Sequence, residues 1–166
     1  MRFLHLHDTQ NNILDIGEAN WVSEQIRLWF RPWRLENTLT TDLNWSVCAP
    51  SNWYNTIFCF EVIEHLMNPA LMLTEVRRVL MPGCALYLST PLHNRLGFYF
   101  NETNHFAEYK ESSLRILLDY CGFEVTDVHK FKSIPFWQSF RHGAGLVRGT
   151  LRALTQETIL IRAVKR

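Results

Sequence analysis

The sequence lacks any apolar run approaching the ~20 residues that a membrane-spanning helix requires, so no membrane span is expected. It also lacks a CxxC pair: Cys48, Cys59, Cys84 and Cys121 are scattered along the chain. A zinc ribbon needs thiolates in close pairs, and a disulfide scaffold needs a denser set. Both are excluded, and a reducing, cytoplasmic setting is expected. Residues 1–8 have no long apolar core of the kind that marks a secretory leader. There is no internal repeat, no low-complexity tract and no clear linker. Acid is nearly missing from residues 130–166, where Glu157 stands against eight Lys and Arg, a balance of +7. Residues 1–129 hold nine basic and fifteen acidic residues, a balance of −6, which leaves the chain at +1. A basic end attracts anions. These charges are dispersed rather than blocked, so solvated faces are the favoured reading, and nucleic acid is not an expected partner.

What is present fits one folded domain over residues 1–166. The chain is 47% hydrophobic and 20% charged, a balance that folds rather than stays disordered, and its length allows ~70% of the unfolded surface to be buried. Residues 13–17 (ILDIG) read as a short buried strand ending at a glycine turn. Asn20 is a candidate cap for a helix over 21–30, which Pro32 stops. Residues 35–41 read as a second strand, 45–53 as a loop and 54–60 (YNTIFCF) as a third, central strand. A helical turn is expected after Glu61. Asn68-Pro69 then starts a helix reaching about residue 80, with apolar residues at helical spacing. Pro82-Gly83 reads as a turn and 84–89 as a fourth strand.

Residues 91–111 form a long aromatic loop, a length that usually signals function. Ser112 or Ser113 is expected to cap a helix ending at Gly122. Residues 123–131 and 158–164 read as strands, and 135–154 as irregular or helical. The mostly alternating elements imply an α/β sheet with helices on both faces. Ligands bind such sheets at the carboxyl ends of the strands, which places the loops after 13–17, 54–60 and 84–89 at the candidate site.

Other chemistries have little support. Glu61-x-x-Glu64-His65 lacks the paired histidines of HExxH or its inverse. His5 and His7 would share a strand face with no third ligand nearby, so no metal site is expected. Ser89-Thr90 shows no nucleophile elbow. Trp29, Trp33, Trp45 and Trp53 are expected in core or loop packing rather than in a base-stacking platform.

The most specific stretch is residues 54–91, YNTIFCFEVIEHLMNPALMLTEVRRVLMPGCALYLSTP. Glu61-Val62-Ile63-Glu64-His65-Leu66, Asn68-Pro69, Glu75, Arg78-Val79-Leu80, Pro82-Gly83 and Ser89-Thr90-Pro91 follow in order. This phrase resembles the class I S-adenosylmethionine-dependent methyltransferases, in particular the small type 11 group. Residues 104–109 (NHFAEY) resemble that group's HFxEY loop, and residues 121–125 (CGFEV) its late GF-x-V strand. The resemblance covers about residues 13–131, plus a plausible last strand.

It implies a Rossmann-like α/β class I methyltransferase fold. The sheet would be mostly parallel, ordered 3-2-1-4-5-7-6 with the last strand antiparallel, and the cofactor would be S-adenosylmethionine. Only twelve residues separate Asp42 from Asn55, so the third strand is expected to be absent and the sheet to hold about six strands. By resemblance, Asp15 and Gly17 belong to the first cofactor loop, and Glu18 is a further carboxylate there. Glu36 is the positional candidate for the ribose, Asp42-Leu43 for the adenine, and Phe60 and Glu61 end the strand beside the cofactor. Ala19 and Trp21 stand where the group carries its second and third glycines. A methyl at 19 is tolerated if its φ is negative.

Methyl transfer from a sulfonium is an in-line displacement that depends on positioning, with a base needed only for a protonated oxygen or nitrogen acceptor. His65 is the first candidate base, just past the strand nearest the methyl; the alternative is that it only caps the strand–helix junction. His105 and Tyr109 follow, on the loop that could close over the acceptor. The expected function is S-adenosylmethionine-dependent methyl transfer to a small-molecule acceptor. The alternative is a catalytically inactive methyltransferase-like domain that serves as a binding or scaffold module.

Overall fold

The computed structural model describes residues 11–38, 42–44, 46–93, 105–132 and 157–166. Expectations for His5, His7, Trp45, residues 39–41, most of the 91–111 loop and the 135–154 segment lie outside these residues. Six strands form one sheet: β1 Asn12–Ile16, β2 Arg34–Asn37, β3 Tyr54–Phe60, β4 Leu80–Pro91, β5 Phe123–Phe131 and β6 Thr158–Lys165. Their order is β2-β1-β3-β4-β6-β5. β1 pairs in parallel with β2 and β3, and β3 with β4, whereas β6 runs antiparallel to both β4 and β5. This is the order 3-2-1-4-5-7-6 with its first member removed, as expected from the short span between residues 42 and 55.

Among the described residues, three α-helices cover the sheet: α1 Trp21–Phe30, α2 Pro69–Val79 and α3 Glu111–Tyr120. On one face, Ile26 of α1 packs with Ile13, Phe58, Ala85 and Tyr87. On the other, Met72, Leu73, Val76 and Val79 of α2 and Leu114 and Leu118 of α3 share a core with Leu14, Ile57, Leu86, Leu88 and Ile161. Helices on both faces explain why β3 reads as a continuous apolar run: neither face of a central strand meets water.

Local chemistry sets the helix ends. Asn20 Oδ1 accepts from Val22 N at 2.8 Å and Ser23 N at 3.4 Å, and Ser23 Oγ accepts from Asn20 N at 3.2 Å, a reciprocal capping box. Asn68 Oδ1 accepts from Leu71 N at 3.2 Å, with Pro69 in the first turn where its missing N–H costs nothing. α3 begins two or three residues earlier than expected. Lys110 occupies the cap position with no side-chain cap bond, so neither Ser112 nor Ser113 caps it. After α3 the chain turns at Gly122, φ +83, where a Cβ would lie 2.5 Å from Arg77 Nε.

Pro82-Gly83 does not separate β4 from what precedes it. The strand runs through, and the register jumps from Tyr54↔Leu80 to Thr56↔Ala85. Pro82 has no N–H for the ladder and Gly83 sits at φ +73, so the extra residues loop out of the pairing. The tryptophans also differ from expectation. Trp29 is 58% and Trp33 72% exposed, because the buried stripe of α1 is only Ser23 and Ile26 and the following turn lies on the surface.

Candidate active site

The chain passes from β1 to β2 on one side, then returns to place β3 on the other side of β1. That reversal opens a crevice at the carboxyl ends of β1 and β3. Gly17 and the segment after Phe60 lie there together: a Cβ built on Gly17 would stand 3.8 Å from Val62 Cγ2. Gly17 adopts φ +119, a conformation that L side chains rarely take, and its N–H donates to Thr38 Oγ1 at 2.9 Å. Positive φ falls on Gly17 and not on Ala19 or Trp21. The loop therefore needs only its first glycine for backbone reasons. Trp21 is 75% exposed.

Asp15 is 4% exposed. Its carboxylate accepts from Ser23 Oγ of α1 in a short contact and from Asn37 Nδ2 at 3.2 Å, and Asn37 also reaches the Asp15 carbonyl at 3.2 Å. Burial pushes its carboxyl above the ordinary value, partly opposed by these bonds. Asp15 thus ties β1, β2 and the cap of α1 under the loop. Glu18 is exposed beside it.

Glu36 is half-buried on the opposite face of β2 from Asn37, where it ion-pairs with Arg34 and accepts from the Tyr54 hydroxyl, both at short range. Asp42 Oδ1 accepts from Asn44 N at 2.9 Å and Asn44 Nδ2 at 3.0 Å. Asn44 Oδ1 in turn accepts from Met67 N at 2.9 Å and Asn68 N at 3.1 Å, which latches this loop onto the start of α2. Leu43 packs against the main core. The next stretch is held from α2: Glu75 accepts from Val47 N at 3.2 Å, while Arg78 pairs with Glu75 and donates to the carbonyls of Val47 and Ala49, each at 2.9 Å.

Phe60 is half-buried at the end of β3 and packs against Phe58, ring centroids 5.3 Å apart. Glu61 follows at φ +55, an uncommon conformation for a non-glycine residue. Its N–H donates to the Ser89 carbonyl at 3.1 Å, and its carboxylate accepts from Ser89 Oγ at 2.7 Å. The strain is held by two bonds to β4 and aims the residue out of the sheet end. Such held strain clusters at functional sites.

The segment 63–65 is a single 3₁₀ turn. Glu64 is 1% exposed, and Thr90 Oγ1 of β4 donates to its Oε2 at 3.0 Å. Burial, helped by the nearby Glu61 charge, pushes its carboxyl up to about 7. The Glu64 carbonyl accepts from Phe106 N at 2.8 Å and Ala107 N at 3.2 Å. These two bonds bring in the aromatic loop's end, and His105 meets His65 edge to face with ring centroids 4.7 Å apart.

Tyr109 is fixed by main-chain bonding to His93 at 2.8 Å and is 9% exposed. Its hydroxyl is buried and has no hydrogen-bond partner among the described residues. Burial and the Glu64 charge push its phenol up to about 12. The structure therefore gathers His65, His105 and Tyr109 near Glu64. Asp15, Gly17, Phe60 and Glu61 stand at the strand ends. Glu36 and Asp42 are engaged with neighbouring side chains.

Sequence reasoning missed the supporting polar residues Ser23, Asn37, Thr38 and Thr90, and the burial of Glu64. Only the serine spacing of the capping box was visible as a signal. The others act across strands.

Residues 1–128 match a family model described as a methyltransferase domain. A curated protein of Mycolicibacterium smegmatis, named a probable S-adenosylmethionine-dependent methyltransferase, is 34% identical over 102 residues, which cover 58% of this chain and 35% of that protein. The chain thus spans about a third of that relative's length. Among solved structures, a putative methyltransferase from Bacillus halodurans superposes with a TM-score of 0.76 at 16% identity, covering 99% of this chain and 95% of that one. Phosphoethanolamine N-methyltransferase 2 from Haemonchus contortus, solved with S-adenosyl-L-methionine, gives 0.72 at 14% identity, covering 99% of this chain and 50% of that one. At these identities the two structures establish the shared fold.

Proposed function

The chain belongs to the methyltransferase-domain family, and on that premise we propose that it is an S-adenosylmethionine-dependent transferase that methylates a small-molecule acceptor. The observation that carries the reading is the pair of loops at the switch point, where Gly17 at φ +119 lies so close to Val62 that a Cβ on it would stand 3.8 Å from Val62 Cγ2. That cradle suits a cofactor lying across the ends of β1 and β3. In this reading Asp15, Gly17 and Glu18 form its first wall. Phe60 and Glu61 flank it, and the segment containing Asp42 and Leu43 lies at its adenine end. Glu36 serves the ribose only after leaving Tyr54 and Arg34, so Thr38 and Asn37, closer to the loop, share that role.

S-adenosylmethionine supplies an electrophilic methyl on a sulfonium. The protein's part is to hold the acceptor in line with it and to exclude water. His65 or His105 accepts the proton of an oxygen or nitrogen acceptor. Tyr109 keeps its proton at neutral pH and orients the acceptor as a hydrogen-bond donor. The M. smegmatis relative, named a probable S-adenosylmethionine-dependent methyltransferase, supports the reaction class.

Calorimetric titration of S-adenosylhomocysteine tests it. Micromolar binding, about −8 kcal/mol, is expected, and Gly17→Val should weaken it severely. No heat at millimolar ligand with an intact circular-dichroism spectrum refutes the enzyme and leaves the binding-module alternative.

A further inference from the structure

We propose that Glu64, His65 and His105 form a binding site for one divalent cation of the zinc class at the carboxyl ends of β3 and β4. One ligand atom from each residue lies within 4.8 Å of the others. Around a tetrahedral zinc, with ligands at about 2.0–2.2 Å, neighbouring donors stand roughly 3.4 Å apart. The cluster would close by at most about 1.4 Å around the cation, a movement within reach of turning the two half-buried imidazoles. Two imidazoles and a carboxylate are the donor set of open zinc sites, which leave a fourth position for water or substrate.

Three further observations show a built site. First, Glu64 is buried, and among the described residues no lysine or arginine ion-pairs with it. A buried carboxylate needs a compensating cation. Second, its other contacts are those of an oriented ligand. Thr90 fixes one oxygen at 3.0 Å, and the Glu64 carbonyl latches the backbone of Phe106 and Ala107, which holds His105 against His65. Outer partners of this kind set ligand geometry in metal sites. Third, the buried Tyr109 hydroxyl has no partner among the described residues and lies close enough to feel the Glu64 charge. A water on the cation would supply the missing hydrogen bond.

The site stands independently of methyl transfer. Chelator-treated full-length protein is titrated with zinc chloride, and with cobalt(II) chloride to read the ligand-field absorption. The wild type is expected to bind one equivalent. His65→Ala and His105→Ala should each lose at least the ten- to hundred-fold that even an outer partner is worth, and Thr90→Val about tenfold. His5→Ala/His7→Ala and Cys48→Ser should bind normally. No stoichiometric binding, or binding that survives His65→Ala/His105→Ala, overturns the proposal. S-adenosylhomocysteine titrated into the same samples separates the two readings. Cation without cofactor binding refutes methyl transfer and leaves the site standing; cofactor without cation binding removes the site alone.

Discussion

Glu64→Gln should stabilise the metal-free protein at pH 8 and do almost nothing at pH 4.5. The wild-type carboxyl titrates near 7 in the folded protein, raised from 4.5 by burial. The folded state therefore binds its proton more tightly than the unfolded state does. Stability is fully present below the unfolded value and is lost as pH rises through the folded one. The gap of about 2.5 units, at 1.36 kcal/mol each, makes the ionised group cost about 3 kcal/mol above pH 7. Glutamine keeps an oxygen to accept from Thr90 and cannot ionise.

At pH 8 the variant should gain about 2–3 kcal/mol, which is roughly 4–12 °C in Tm for a chain of this size. The assay is thermal unfolding at pH 4.5, 6 and 8 with chelator present. An equal shift at all three values, or a loss at pH 8, refutes the burial argument. Adding zinc should reverse the order at pH 8. A cation held by the native state alone stabilises by about 4.1 kcal/mol at a thousand times Kd, which exceeds that gap, and only the wild type retains the full ligand set.

The other predictions rest on separate contacts. Tyr109→Phe removes a buried hydroxyl that has no partner among the described residues. Urea unfolding should show it unchanged or about 1 kcal/mol more stable, while acceptor turnover falls. Gly122→Ala places a Cβ 2.5 Å from Arg77 Nε at φ +83 and should cost about 1–3 kcal/mol in the same assay. Asn20→Ala breaks the capping box of α1 and should cost about 1 kcal/mol, with weaker S-adenosylhomocysteine binding because the cap also holds Ser23 against Asp15. Arg78→Met frees the carbonyls of Val47 and Ala49 and should expose residues 46–51 to limited proteolysis. Its partner Glu75, held below the ordinary carboxylate range by Arg78, stabilises above its unfolded pKa. That part of the effect should fade as pH falls through the folded value.

Much of the fold was legible because its signals are local. The apolar run of β3, the Asn20 and Asn68 caps and the proline at the start of α2 each act within a few residues. The short span between residues 42 and 55 left no room for the missing strand. The phrase from Glu61 to Pro91 carried the family, since an ordered run of motif residues is retained in sequence even where overall identity is low. Errors came where tertiary packing overrides local preference. β4 resumes its pairing with β3 at Ala85, beyond the looped-out Pro82-Gly83, and α3 starts at Glu111 without help from the serines.

The sequence by itself therefore determined the strands, most helix ends and the family resemblance, because hydrophobic period, caps and motif order are one-dimensional properties, and the strand order followed from what that resemblance implies. The site's chemistry was decided only in three dimensions. Glu64 looks like any acid in a motif until Ile63, Thr90 and the loop at Phe106 bury it and raise its pKa. His65 has no second histidine at zincin spacing, and the partner arrives from a distant segment carried by two main-chain hydrogen bonds to Glu64. Asp15 reads as a residue of the first cofactor loop, and only the structure shows its carboxylate bonded to Ser23 and Asn37. Burial and long-range contact set charge state and partnership, and neither is encoded in spacing along the chain.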